Sequence, residues 1–381
     1  MQERERERDH NRRLIPFSSV VFPLITLLVT HGLVVSPSDA EVPTFEVKAF
    51  LNPSSGSSVD LSPDGSHIYA NIGFAAGDAG FRRFDAGTYA QVQDYHVCSA
   101  TWTGLVSADS LSFWASDYSG TVKQVNVADG SVMANVSTGS CSSYMTFDQS
   151  RQYLYVATNN AFPGAISIIK AVDTATKTVG PGATLNGATG NCLRVSPDQQ
   201  YLYATSLQPG SERFYKILCS DMSIANSVSI AGINNPGFSL SPDGTTAYIP
   251  DVNAGKIHVL NTGTMTQTDL WDYANVRGFW LSPDGTYALA TSGTDTQVNI
   301  DVYDLNAHSI LQTISFPDVG NVGLGQLPTP PFWDWDSNLK AVYVRIPASE
   351  GGVAVLTPEP ATLSLLALGG AAVIARRKRR K

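Results

Sequence analysis

The apolar residues of this chain fall in short alternating runs, and most runs open on one polar phrase. Ser62-Pro63-Asp64-Gly65-Ser66 precedes His67-Ile68-Tyr69-Ala70-Asn71. Proline presets φ, aspartate bonds back to its own backbone and glycine accepts positive φ, so the phrase reads as a tight turn. Ile68 and Tyr69 then start a strand. The phrase returns at Ser196-Pro197-Asp198, Ser241-Pro242-Asp243-Gly244 and Ser282-Pro283-Asp284-Gly285, each ahead of a tyrosine. Looser copies stand at Ser107-Ala108-Asp109, Asp148-Gln149-Ser150 and Asp336-Ser337-Asn338. With anchors at 64, 109, 150, 198, 243, 284 and 338, the spacings are 45, 41, 48, 45, 41 and 54 residues. Seven units of this size match the ~40–50-residue, four-stranded repeat of propeller blades.

The third unit shows the four strands most plainly. Tyr144–Phe147 is a short inner strand A, Tyr153–Thr158 is B, Gly164–Ile169 is C, and Thr176–Leu185 holds D. The expected fold is all-β, a seven-bladed β-propeller over residues 41–357. The last unit offers three runs, Phe332–Trp335, Val342–Val344 and Gly352–Leu356, and lacks a fourth. A spare run, Phe45–Leu51, stands before the first unit. An open sheet edge invites aggregation, so residues 44–51 are expected to be the outer strand of blade 7.

Composition sharpens this picture at the ends. Residues 1–40 carry Arg12-Arg13, an apolar run from Leu14 to Val35, and Ser38-Asp39-Ala40 with small residues at −3 and −1. Those are the parts of a secretory signal peptide cleaved after Ala40. Residues 41–357 hold 14 Lys/Arg against 27 Asp/Glu, a net of −13. An acidic body repels a phosphate backbone, so nucleic acid is excluded as a partner.

The tail runs Pro358-Glu359-Pro360, then Ala361 to Ala375, small and apolar, then Arg376-Arg377-Lys378-Arg379-Arg380-Lys381. It resembles the PEP-CTERM sorting signal. The resemblance implies export and transient anchoring by the C-terminal apolar helix. It implies cleavage near Pro358–Pro360 by exosortase, a membrane cysteine transpeptidase. The implied destination is the cell envelope or extracellular surface of a Gram-negative-type bacterium, with exopolysaccharide or envelope proteins as partners. Over about 44–357, phrases such as Tyr153-Leu154-Tyr155-Val156-Ala157-Thr158 and Gly255-Lys256-Ile257-His258-Val259-Leu260-Asn261 are similar to the YVTN-type seven-bladed repeat. Related propellers include lactonases of the 6-phosphogluconolactonase type.

In such a ring the D-to-A and B-to-C connections gather at one mouth, where loops on a rigid scaffold bind. The D-to-A set offers Trp102, Tyr144, Arg194 and Arg277. The B-to-C set offers Asp117, Tyr118, Asn159, Asp251, Asn253 and Asp295. Carboxylates with aromatics suit a sugar, and oxygen ligands from several blades suit a hard cation such as Ca²⁺. No cofactor is predicted. The recurrent Asp64, Asp198, Asp243 and Asp284 lie in A-to-B turns on the opposite face and read as folding devices. The body has no paired-histidine zinc motif and no Gly-x-Ser-x-Gly elbow. These patterns favour a binding protein whose propeller face takes polysaccharide, protein or a metal ion. The alternative is an extracytoplasmic lactonase-like hydrolase. Cys98, Cys141 and Cys192 fall in successive D-to-A connections and Cys219 nearer the opposite face, so a Cys98–Cys141 or Cys141–Cys192 bridge is expected.

Overall fold

The architecture follows from a computed structural model that describes residues 43–51, 58–72, 79–139, 141–158, 167–187, 189–206, 210, 212–233, 237–294, 297–317, 333–335, 341–346 and 352–358. The strand β1 (Phe45–Leu51) comes first. Blade 1 is β2 (Val59–Leu61), β3 (His67–Ile72), β4 (Ala79–Asp85) and β5 (Gln91–Cys98). Blade 2 is β6 (Gly104–Val106), β7 (Ser112–Asp117), β8 (Thr121–Asn126) and β9 (Val132–Ser137). Blade 3 is β10 (Ser142–Phe147), β11 (Tyr153–Thr158), β12 (Ser167–Asp173) and β13 (Val179–Leu185). Blade 4 is β14 (Thr189–Val195), β15 (Tyr201–Ser206), β16 (Arg213–Leu218) and β17 (Ile224–Ser229). Blade 5 is β18 (Ser239–Leu240), β19 (Thr246–Asp251), β20 (Lys256–Asn261) and β21 (Thr266–Asp272). Blade 6 is β22 (Val276–Leu281), β23 (Tyr287–Thr294), β24 (Gln297–Asp304) and β25 (Ser309–Pro317). Blade 7 holds β26 (Trp333–Trp335), β27 (Val342–Ile346) and β28 (Gly352–Pro358). Each blade is a four-stranded antiparallel sheet in A-B-C-D order, and β1 completes the seventh beside β28.

The closing strand pairs from Phe45↔Pro358 to Leu51↔Val353, with a register shift between Val47 and Ala49. The propeller therefore reaches Pro358, one residue past the expected boundary. Phe45 is 2% exposed and reaches beyond its own blade, with its ring 5.9 Å from Tyr287 of blade 6. The Gln312 side chain on β25 holds the same residue from outside. Its oxygen accepts the Phe45 N–H at 2.8 Å, and its nitrogen donates to the Phe45 carbonyl at 2.7 Å.

The core lies between blades. Seven apolar clusters fill the seven interfaces, the last joining blade 7 to blade 1 through Leu51, Val353, Val59 and Ile68. Several interfaces are pinned by aromatic pairs, such as Tyr95–Phe113 at 5.1 Å and Phe214–Phe238 at 5.1 Å. Edge-to-face pairs of this kind add ~0.5–1.5 kcal/mol beyond their buried area.

The repeated turn works as its chemistry requires. Ser62 Oγ donates to Asp64 Oδ1 at 2.6 Å and accepts the His67 N–H at 2.9 Å, while Asp64 Oδ1 accepts the Ser66 N–H at 2.9 Å. The same three bonds recur around Ser196, Ser241 and Ser282. Blade 3 exchanges the roles: Asp148 takes the serine position and accepts the Tyr153 N–H at 2.8 Å. The fourth turn position has φ of +69° at Gly65, +71° at Gly244 and +71° at Gly285, but also +58° at Ser110, +56° at Arg151 and +60° at Gln199. Successive turns touch: a Cβ at Gly244 would lie 2.6 Å from Pro197 Cδ of the preceding blade's turn.

Candidate functional site

Among the described residues, those expected at the mouth separate into three groups. Trp102 sits in the connection from blade 1 to blade 2, half-buried, with its ring 6.0 Å from Tyr144. Tyr144, Arg194 and Arg277 are not in connections. They belong to the innermost strands β10, β14 and β22, which begin at Ser142, Thr189 and Val276, ahead of all three residues. The two arginines do not converge. Arg194 is the second-last residue of β14, at the turn end of the channel. Arg277 is the second residue of β22, at the mouth end, and is 9% exposed.

Asp117 and Asp251 both close a B strand, and neither faces outward: they are 1% and 5% exposed. Lys123 Nζ lies 2.6 Å from Asp117, Ser99 Oγ donates to it at 2.6 Å, and the Ser119 N–H donates at 3.1 Å. Burial works to raise this carboxyl, and those donors outweigh it and hold it below the usual range. The carboxylate thereby ties the B-to-C turn of blade 2 to the connection before that blade. Asp251 accepts the N–H groups of Asn253 at 3.0 Å and Ala254 at 2.9 Å, an Asx turn, and lies 3.7 Å from His258 Nε2. Tyr118 is exposed beside Cys141, whose sulfur raises the phenol. Asn159 and Asp295 lie outside the described residues, as do residues 1–42 and the tail beyond Pro358 with Glu359, Pro360, Arg376 and Arg377.

The expected bridge between Cys98 and Cys141 is not formed, and all four cysteines are free thiols here. Cys98 is buried in the interface of blades 1 and 2, where desolvation pushes its thiol up to about 12, whereas Cys141 is half-buried beside Tyr118. Cys192 is packed inside the interface of blades 4 and 5.

What the inner strands do form is a channel cavity of 290 Å³ bordered by blades 4, 5 and 6. Arg194, Ser239 and Trp280 line it, and Pro197 and Pro242 of the repeated turns stand at its rim. It opens on the turn face, opposite the expected mouth. Among the described residues, no three His, Cys, Asp or Glu side chains converge as a metal site.

Sequence reasoning missed a polar register inside strand C. Arg82, Lys123, Lys170, His258 and Asp301 occupy one position in five blades, each three steps from the end that faces the C-to-D turn. Arg82 grips Asp94 through two bonds of 2.7 and 2.6 Å. Asp301 is 2% exposed and accepts hydroxyls from Tyr273, Ser292 and Thr313, each at 2.6 Å. Superposing the C strands blade on blade would have shown a polar residue recurring at a sheltered position.

Residues 356–380 match the PEP-CTERM protein-sorting motif. The chain carries an exosortase sorting tail. The match begins inside β28, two residues before Pro358, so the closing strand of the ring runs straight into the sorting motif. No curated protein matches the chain. Among solved structures, a chain of "Kuenenia stuttgartiensis Hydrazine Synthase" aligns with a TM-score of 0.64 and 15% identity, covering 80% of this chain and 96% of that one. At that identity the likeness speaks for the propeller fold alone. The tail marks the protein for export and exosortase processing.

Proposed function

We propose that this is an exosortase-processed protein of the cell envelope or extracellular matrix whose seven-bladed ring serves as a binding scaffold. The observation that supports it is the direct run of the sorting motif out of β28. Removing the tail after Pro358 leaves every rung between β1 and β28 in place, so processing releases a closed ring. Residues 1–40 act as the signal peptide in this reading. The apolar run Ala361–Ala375 anchors the protein until cleavage, with the basic Arg376–Lys381 held on the cytoplasmic side. Arg194 and Arg277, the residues on which a lactonase-like reading would rest, stand at opposite ends of their strands, which favours binding over hydrolysis.

The test is cellular and biochemical together. In a host with an exosortase, the protein should leave the membrane fraction and lose its tail. In a host without one, it should stay membrane-bound and uncut. A screen of the protein against glycans, envelope proteins and divalent metals, with a lactone-hydrolysis assay beside it, reads out the ring. Turnover of a lactone lost on Arg194→Ala or Arg277→Ala would overturn the binding reading.

A further inference from the structure

We propose that the cleft between blades 3 and 4 on the turn face binds a short neutral oligosaccharide. This rests on the binding reading above and gives it a place and a ligand class. The cleft measures 730 Å³, within the range of sites that enclose small ligands.

Its origin lies in the outer strand β13. One register position on the D strands faces the next blade, and it holds Tyr95, Val136, Ala183, Val228, Trp271 and Ile314 in blades 1 to 6. Between blades 5 and 6 Trp271 fills the space, with its ring 5.4 Å from Tyr248 and 6.2 Å from Tyr303. Blade 3 has Ala183 there, preceded by Gly180-Pro181-Gly182. Tyr155, the counterpart of Tyr248, is left as the cleft floor with Cys219 beside it.

Gly180 is the second observation. A Cβ added there would meet nothing nearer than the Ala171 carbonyl oxygen at 3.5 Å, an ordinary contact. Gly182 differs, since a Cβ would come within 2.9 Å of Ile168 Cγ2. The fold therefore has room for a side chain at Gly180. Gly180 lies in the bulge where the pairing of β12 and β13 shifts register, a place where other blades carry the exposed side chains of Val92, Met133 and Leu311, and its missing side chain leaves the cleft open.

The lining selects the ligand. Tyr153 is 44% exposed and offers an aromatic face at the rim. Gln199, Gln200, Thr178 and Ser220 add amides and hydroxyls. No Lys or Arg is among the described lining residues, and the charges present are Asp148 and Asp173. Both carboxylates already accept backbone N–H groups of their own turns. An anionic ligand is repelled. An aromatic face beside neutral donors and acceptors matches the C–H face and the hydroxyl edge of a neutral sugar. Burial raises the Cys219 thiol and outweighs the bond it accepts from the Tyr155 hydroxyl, so the floor holds no thiolate nucleophile and the cleft serves to bind.

The experiment is calorimetric titration of the purified protein with neutral tetrasaccharides of glucose, mannose, galactose and N-acetylglucosamine, with tetragalacturonate as the anionic comparison. At least one neutral tetrasaccharide should bind. Gly180→Leu, which fills the cleft, and Tyr153→Ala, which removes an exposed ring, should each weaken it by about tenfold or more. Arg194→Ala in the channel should leave it unchanged. If Gly180→Leu does not fold, Tyr153→Ala decides. The proposal is overturned if no neutral tetrasaccharide binds, if tetragalacturonate binds more tightly, or if binding survives the cleft variants. Binding that survives those variants but falls with Arg194→Ala would sink the cleft and leave the scaffold reading standing.

Discussion

Phe45→Ala tests how firmly the ring is shut. The side chain is 2% exposed among Tyr287, Leu289, Val342 and Leu356, so it bridges blades 6 and 7. Truncating a buried phenylalanine costs ~3–5 kcal/mol through lost transfer energy and the cavity left behind. The N-terminal strand can shift to close part of that cavity, which points to the lower half of the range, ~3–4 kcal/mol. Unfolding entropy of ~2.1 cal/mol/K per residue, taken over residues 43–358, turns this into a drop in Tm of about 5–6 °C. Urea unfolding gives the second reading: the midpoint should fall while the slope stays constant. Val47→Ala is the control, because Val47 is on the same strand and 43% exposed. It should change stability by no more than ~0.5 kcal/mol. Equal, small effects of both substitutions would mean that β1 is not docked as described and that closure comes from elsewhere.

Four further outcomes follow from the same geometry. Gln312→Ala removes both bonds to the Phe45 backbone and should cost ~1–3 kcal/mol in a urea melt. Gly65→Ala and Gly244→Ala share a positive φ, which costs ~1–2 kcal/mol for an L residue. Only Gly244 also meets a neighbouring proline, so its melt should fall further than that of Gly65→Ala. A chain ending at Pro358 should melt as the tailed protein does, whereas one ending at Ala354 loses rungs to β1 and should fail to fold. The hydrogen bonds of Ser196 and Ser241 hold the Asp198 and Asp243 carboxyls low, as Arg82 does Asp94. Folded-state values below the ordinary 3.8 mean stability present above that pH and lost as pH falls through the folded values. Tm should be level between about pH 7 and 5 and decline below about pH 4.

Blade number and closure were legible because they rest on local chemistry repeated in register. Ser-Pro-Asp-Gly specifies a turn within five residues, and counting turns exposed both the short last blade and the role of Phe45–Leu51. The site was less legible. Tyr144, Arg194 and Arg277 stand where a connection becomes a short inner strand, and a shift of a few residues moves each from loop to channel wall. Asp117 and Asp251 have the composition of ligands, but their partners Lys123 and His258 come from the neighbouring strand and turn them inward. The cleft at Gly180 needed comparison across blades: Ala183 is unremarkable until it is set against Trp271.

The most direct test of the account is the intact mass of the protein recovered from the envelope of an exosortase-bearing host. The account predicts a chain that begins after Ala40 and ends near Pro358–Pro360, absent from an exosortase-deficient strain. Recovery of surface protein that still carries Arg376–Lys381 in the exosortase-bearing host would contradict it.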